Sequence, residues 1–223
     1  MATGGAEAMT DRTTMCRSLV DAARDIASKG LNSGTSGNIS LRLERGMLIT
    51  PTGIPADGLD ENSMVEMSLE GDWSGSLRPS SEWNMHAAIY QAFPQARAVV
   101  HAHPDHCVAL SCLRQGLPPF HYMIASFGGD DVPCSDYAPF GTAELAQAAV
   151  RALAARNTCL LANHGMISFG PDLATAVART EKLETLARQY TLARASGEPV
   201  MLTKAELDVV KAGYKTYGQQ NPR

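Results

Sequence analysis

Residues 98–107 read AVVHAHPDHC, an apolar run that delivers two histidines and then stops at a proline. Val99 and Val100 are β-branched and favour a strand, and Pro104 cannot continue one inside a sheet. Side chains alternate faces along a strand, so His101 and His103 project to the same side. Two neutral imidazoles placed this way can chelate a metal ion; they can equally share a face by chance and only hydrogen-bond. Working outward, a second apolar run, TCLLA at 158–162, leads into NHG at 163–165. His164 therefore stands at another strand end, followed by a glycine that permits close backbone approach. SSEW at 80–83 puts Glu82 in the first turn of a helix, where the helix dipole favours a carboxylate without any function. Three histidines with one carboxylate make a coherent Zn²⁺-type ligand set that leaves one position for substrate. His106 lies past Pro104, off the strand, and His86 lies four residues after Glu82 on the same helix face. Both are read as non-ligands, His86 either supporting the site or merely buried.

The flanking segments assemble one α/β domain. Met15, Leu19, Ala22, Ala23 and Ile26 form a stripe at helical spacing over 11–29, closed by Gly30. ISLRL and MLIT around the turn ERG predict a β-hairpin, and 64–69 a further strand. SSEWNMHAAIYQAF predicts a helix with Ser80 or Ser81 as N-cap. Helices are expected near 105–113, 142–156, 172–195 and 203–214, with strands near 121–124, 158–162 and 166–169. No repeat or linker divides the chain, so the expected class is α/β: a single domain with a central mixed sheet and helices on its faces. The domain spans 11–218, between a flexible tail at 1–10 and a short tail at 219–223.

Composition narrows the function. Of 223 residues, 44% are hydrophobic and 19% charged, enough to bury a substantial core. A net charge of −4 without a basic cluster argues against nucleic acid as partner. No secretory h-region and no apolar run approaching the roughly 18–20 residues of a membrane span are visible. The five cysteines are odd in number and form no C-x-x-C pair, so a cytoplasmic protein with reduced thiols is expected.

Three short loops, SGTSGN (33–38), TPTG (50–53) and PSSE (79–82), offer uncharged donors that suit an anion, although each taken singly is ordinary turn chemistry. None matches a Walker A or dinucleotide pattern, so nucleotide is not an expected cofactor.

Together with GLNSGTSGNIS, GMLITPTGIP, LRPSSEWNMH, AVVHAHPDHC, PPFHYMIASFGGDDVPC, YAPFGT, LLANHGMI and YKTYG, the chain from about 15 to 218 resembles the class II aldolase/adducin family. It looks most like the L-fuculose-1-phosphate aldolase branch. The resemblance implies a largely antiparallel sheet. It implies Zn²⁺, with Co²⁺ or Mn²⁺ as possible substitutes, held by His101, His103 and His164, with Glu82 touching the metal in the empty site and then serving as acid/base. It places phosphate binding on Thr35, Gly37, Asn38, Thr52, Gly53, Ser80 and Ser81. Tyr122 falls where a tyrosine reaches into a neighbouring subunit's site and handles a proton, and Phe140, Tyr214 and Tyr217 fall on the aldehyde side. A homotetramer with sites between subunits is implied, with a small phosphorylated sugar as substrate.

The implied activity is metal-dependent cleavage of a ketose 1-phosphate to dihydroxyacetone phosphate and a small aldehyde. The candidates are L-fuculose 1-phosphate and related 5-deoxypentulose or 5-methylthioribulose 1-phosphates of salvage routes. The metal would stabilise the enediolate charge, so no Schiff-base lysine is required. A glutamate released into a partly dry pocket is expected to have a raised pKa. Of two departures, Tyr214 in place of phenylalanine and Asn163 in place of histidine, the first leaves the sugar open. Alternatives in the family are a ketopentose-phosphate 4-epimerase and a sugar-acid phosphate decarboxylase. Retention of all three histidines speaks against a non-enzymatic adducin-like module.

Overall fold

The structure, a computed structural model, describes residues 3–214, 216 and 217; the segment 219–223, read as a C-terminal tail, lies outside them. Six strands form one sheet: β1 (Asn38–Arg42), β2 (Met47–Ile49), β3 (Val65–Met67), β4 (Ala98–Ala102), β5 (Thr158–Leu161) and β6 (Gly165–Gly170). Their order is β3-β2-β1-β4-β6-β5, and every pairing of these strands is antiparallel. The parallel element of the mixed sheet is an isolated bridge between Cys134 and Leu160. Six α-helices accompany it among the described residues: α1 (Thr3–Ser28), α2 (Trp83–Ala92), α3 (Asp105–Cys112), α4 (Ala143–Leu153), α5 (Leu173–Ser196) and α6 (Lys204–Tyr214).

Strand alternation sorts the core into two sides. Val99 of β4, with Cys159, Leu161, Ile167 and Phe169, packs against Met85, Ile89, Leu145 and Ala149 of α2 and α4. Ala98 and Val100 face the other way, onto Leu19 and Ile26 of α1 and Ala176 of α5. Ala102, Leu160 and Met166 continue that side against α3 and α5. The strand β4 is buried along its whole length, consistent with its central place. His101 shares the face of Val99, and this alternation aims it toward α2.

Local chemistry sets the starts of α4 and α5. Thr142 Oγ1 accepts from Leu145 N at 3.2 Å at the start of α4, and Asp172 Oδ1 accepts from Thr175 N at 2.7 Å at the start of α5. The α3 N-terminus is capped from a distance: Glu184 accepts from the backbone N–H groups of His106 at 3.1 Å and Cys107 at 3.0 Å.

Three expectations change. The first helix starts at Thr3, not 11, so helical backbone continues through the stretch read as a tail; its Ala, Glu and Met are good helix formers, and extending a helix costs far less than starting one. Residues 121–124 do not form a strand but open a 3-10 helix, Tyr122–Phe127, because the His121 ring accepts the Met123 N–H at 3.3 Å and bends the chain. The α2 N-cap is Glu82, not Ser80 or Ser81. Ser80 Oγ instead accepts the Glu82 N–H at 3.3 Å, two residues too early to be the cap.

Candidate metal centre and anion cradle

His101 ends its run on β4, His103 follows just past the strand end, and His164 sits in the turn between β5 and β6. The three rings converge, with centroids 4.7, 4.8 and 4.9 Å apart. Glu82 enters from the start of α2. One ligand atom from each of Glu82, His101, His103 and His164 lies within 4.8 Å of all the others, so the four form a cluster that could hold a metal ion.

The donor set fits a divalent cation. The Met166 carbonyl can only accept, so the His101 Nδ1–H donates to it at 2.8 Å. In the neutral ring Nε2 then carries a lone pair. That atom faces Glu82 Oε2 at 3.0 Å and His103 Nε2 at 2.8 Å. His164 Nε2 lies 3.4 Å from Glu82 Oε1, and Oε1 is buried without a hydrogen-bond partner. With hydrogens off these ring nitrogens, as metal binding requires, the electron-rich atoms repel one another, and a cation at their centre turns every contact attractive. Zinc–nitrogen bonds of about 2.0–2.1 Å place donors of a tetrahedral set about 3.3 Å apart, close to these separations.

Electrostatics favour the ligand forms. Burial, then the neighbouring imidazoles, push His103 down to about 3; burial and His101 push His164 down to about 4. Both are therefore neutral near pH 7, as metal binding requires. Burial alone would raise the Glu82 carboxyl, but the neighbouring His101 and His164 and the hydrogen bond from Asn38 outweigh that and hold it well below the usual carboxylate range.

The cluster forms the floor of a cavity of about 300 Å³. Glu82, His103 and His164 line it together with the predicted Thr35, Gly37, Asn38, Thr52, Gly53, Ser80, Ser81 and Phe140. Among the described residues, no lysine or arginine lines it, so an anion there would be held by hydroxyls, amides and the start of α2. Gly37 and Gly53 hold φ of +75° and +72°, backbone that a side chain would strain. Gly37 is doubly required, since a Cβ would come within 2.1 Å of the Asn32 amide. Asn32 Oδ1 in turn accepts the His103 N–H at 2.9 Å, tying the cradle loop to the histidine strand.

Tyr122, Tyr214 and Tyr217 do not line this cavity. Tyr122 and Tyr217 are exposed, and the Tyr214 and Tyr217 rings lie 6.4 Å apart. Sequence reasoning missed Asn32 and Tyr137, and noted Asn163 only as a departure, not as a residue of the site. Tyr137 and Asn163 line the cavity, and Arg114, outside the lining, holds both from behind, donating to Asn163 Oδ1 at 2.9 Å and lying over the Tyr137 ring. Asn163 holds φ at +54°, and asparagine's tolerance of that left-handed region, just before His-Gly, is the one signal the sequence offered.

Gly165 is where the site and the sheet meet. A Cβ there would stand 2.6 Å from the Ala102 carbonyl and 2.9 Å from His103 Cδ2. Gly165→Ala is expected to destabilise the chain by about 1–3 kcal/mol through overpacking, lowering Tm by on the order of 5 °C, and to weaken metal uptake by displacing His103. Thermal melts and metal titration check both; an unchanged melt would mean that β4 and β6 can part without cost.

Among the described residues, no helix is long and apolar enough to cross a membrane. The family described as Class II Aldolase and Adducin N-terminal domain matches residues 17–191. A 5-methylthioribulose-1-phosphate/5-deoxyribulose-1-phosphate aldolase of Rhodospirillum rubrum is 44% identical over 207 residues, covering 93% of this chain and 94% of the relative. An L-fuculose phosphate aldolase of Escherichia coli K12 is 43% identical over 209 residues, covering 93% and 97%. Among solved structures, an L-fuculose 1-phosphate aldolase superposes with a TM-score of 0.87 at 37% identity, covering 91% of this chain and 96% of that one.

Proposed function

This chain belongs to the class II aldolase and adducin family, and on that premise we propose that it cleaves a ketose 1-phosphate reversibly to dihydroxyacetone phosphate and a small aldehyde. The substrate is L-fuculose 1-phosphate or a related 5-deoxypentulose or 5-methylthioribulose 1-phosphate. The observation that carries this reading is a four-residue cluster of three imidazoles and a carboxylate, of which Glu82, His103 and His164 form the floor of one cavity with an uncharged anion cradle along its wall.

His101, His103 and His164, with Glu82, would hold Zn²⁺, and Co²⁺ or Mn²⁺ could substitute. When bound, the cation supplies a Lewis acid for the negative charge that develops as a C–C bond beside a carbonyl breaks. Thr35, Gly37, Asn38, Thr52, Gly53, Ser80 and Ser81 bind the C1 phosphate, so that distant binding energy orients the reacting carbons. Glu82 Oε1, buried and without a hydrogen bond of its own, moves the proton at C3 of the triose half. Phe140, at the mouth, covers the aldehyde half. Tyr122, Tyr214 and Tyr217 stand away from their own chain's cavity, which supports a ring of four copies in which they serve a neighbour's site, Tyr122 on the C4 oxygen. The enzyme is read as cytoplasmic.

The test is a panel of ketose 1-phosphates (fuculose, ribulose, 5-deoxyribulose and 5-methylthioribulose) coupled to a dihydroxyacetone-phosphate reductase, with the aldehyde identified by trapping. Triose phosphate released from at least one substrate is expected. An isomerised sugar phosphate without triose would overturn the aldolase in favour of a 4-epimerase.

A further inference from the structure

Beneath Glu82 lies a row of buried polar side chains, three of which, Ser40, His86 and Tyr90, the reaction as described leaves unused. Glu82, His86 and Tyr90 stand four residues apart at the start and along one face of α2, and Asn38 and Ser40 stand two apart on the facing side of β1. Four residues of helix advance about 6 Å and two residues of strand about 6.6 Å, so the two rows interdigitate. Tyr90 OH meets Ser40 Oγ at 2.8 Å, Ser40 Oγ meets His86 Nδ1 at 2.7 Å, His86 Nε2 meets Asn38 Oδ1 at 2.6 Å, and Asn38 Nδ2 reaches Glu82 Oε2 at 3.0 Å. All five residues are buried.

The chemistry fixes the direction of every bond. Glu82 Oε2 is a carboxylate oxygen and only accepts, so the Asn38 amide must turn its NH₂ toward it. Asn38 Oδ1 then faces His86 and only accepts, so His86 Nε2 carries the hydrogen. Burial, and secondarily His101, push His86 down to about 3, so its Nδ1 is a bare acceptor for the Ser40 hydroxyl. Ser40 accepts in turn from Tyr90, whose phenol burial keeps protonated. Every hydrogen points toward Glu82. Reversing any member would leave two donors or two acceptors face to face in a dry interior, at the full cost of an unmade buried bond.

We propose that His86 is a positioning residue: it locks the Asn38 amide so that Nδ2–H pins Glu82 Oε2 and leaves Oε1 as the oxygen that handles the substrate proton. The proposal rests on the aldolase reading for its consequence but not for its geometry. It also limits what Asn38 can offer a ligand, since one N–H and the carbonyl are already engaged and only the second N–H is free to bind phosphate.

The test has two arms. In the first, long-range ¹H–¹⁵N spectra of the metal-loaded native protein assign the His86 tautomer. A hydrogen on Nε2 is expected; a hydrogen on Nδ1 with a bare Nε2 overturns the proposal, whatever the enzyme's substrate. In the second, His86→Phe keeps the ring's bulk without its nitrogens, and His86→Gln keeps a donor and an acceptor. With metal content and Tm recorded, His86→Phe is expected to lower kcat by about 10- to 100-fold with KM little changed. It should slow solvent deuterium exchange at C3 of dihydroxyacetone phosphate in parallel, and His86→Gln should recover part of both. Metal-replete His86→Phe with native kcat and native exchange overturns the proposal. If the native enzyme releases no triose phosphate from any ketose 1-phosphate, the aldolase reading fails, while the tautomer arm still decides the relay.

Discussion

Glu82→Gln is expected to keep the fold and lose turnover by about 10²- to 10⁴-fold, the usual worth of a general acid–base group. Glutamine matches glutamate in shape, and its carbonyl can still accept from Asn38 Nδ2 where Oε2 does now. What it cannot do is hold and release a proton. The substitution therefore separates Glu82 as a proton carrier from Glu82 as a strut. The measurement is steady-state kcat on protein whose metal content is shown to match the native enzyme. An unchanged kcat would remove the proton role and leave Glu82 as a ligand only.

Removal of the cation is the second large effect. Dialysis against a chelator is expected to abolish cleavage, with Zn²⁺, and more weakly Co²⁺ or Mn²⁺, restoring it. Loss of Lewis-acid stabilisation is worth several kcal/mol, on the order of 10³-fold at 1.4 kcal/mol per decade. His103→Ala should reproduce the loss without rescue at ordinary metal concentrations. His103 is the better choice than His101, which is fully buried and bonded to the Met166 carbonyl; removing it would open a cavity, orphan a carbonyl and confuse a folding defect with a binding one. Full activity in protein verified as metal-free would exclude the proposed chemistry altogether.

Much of the fold and site was legible because it is written in short-range pattern. The two apolar runs ending in His101 and His164 are strands in the structure, and the hairpin around Gly46 and the helices capped by Thr142 and Asp172 stand close to where propensity puts them. Failures came where a tertiary contact competes with local preference. HYMI has strand composition, yet a single imidazole accepting one backbone N–H bends it into a 3-10 helix. The serines before Trp83 have the composition of an N-cap, yet the site recruits Glu82 to that position.

Sequence alone determined the alternation of β4 that aims His101 at one face, the glycines that let backbone approach at 37 and 165, and the helix that carries Glu82. Each follows from the geometry of neighbouring residues on one chain segment. Only the tertiary structure decided that a strand end, an inter-strand turn and a helix start meet within 4.8 Å, and that Tyr122, Tyr214 and Tyr217 stand away from the cavity they were expected to shape. It likewise decided that His86 faces Asn38 and Ser40, because whether a helical four-residue step falls into register with a strand's two-residue step depends on how α2 lies across the sheet, and no local preference encodes that.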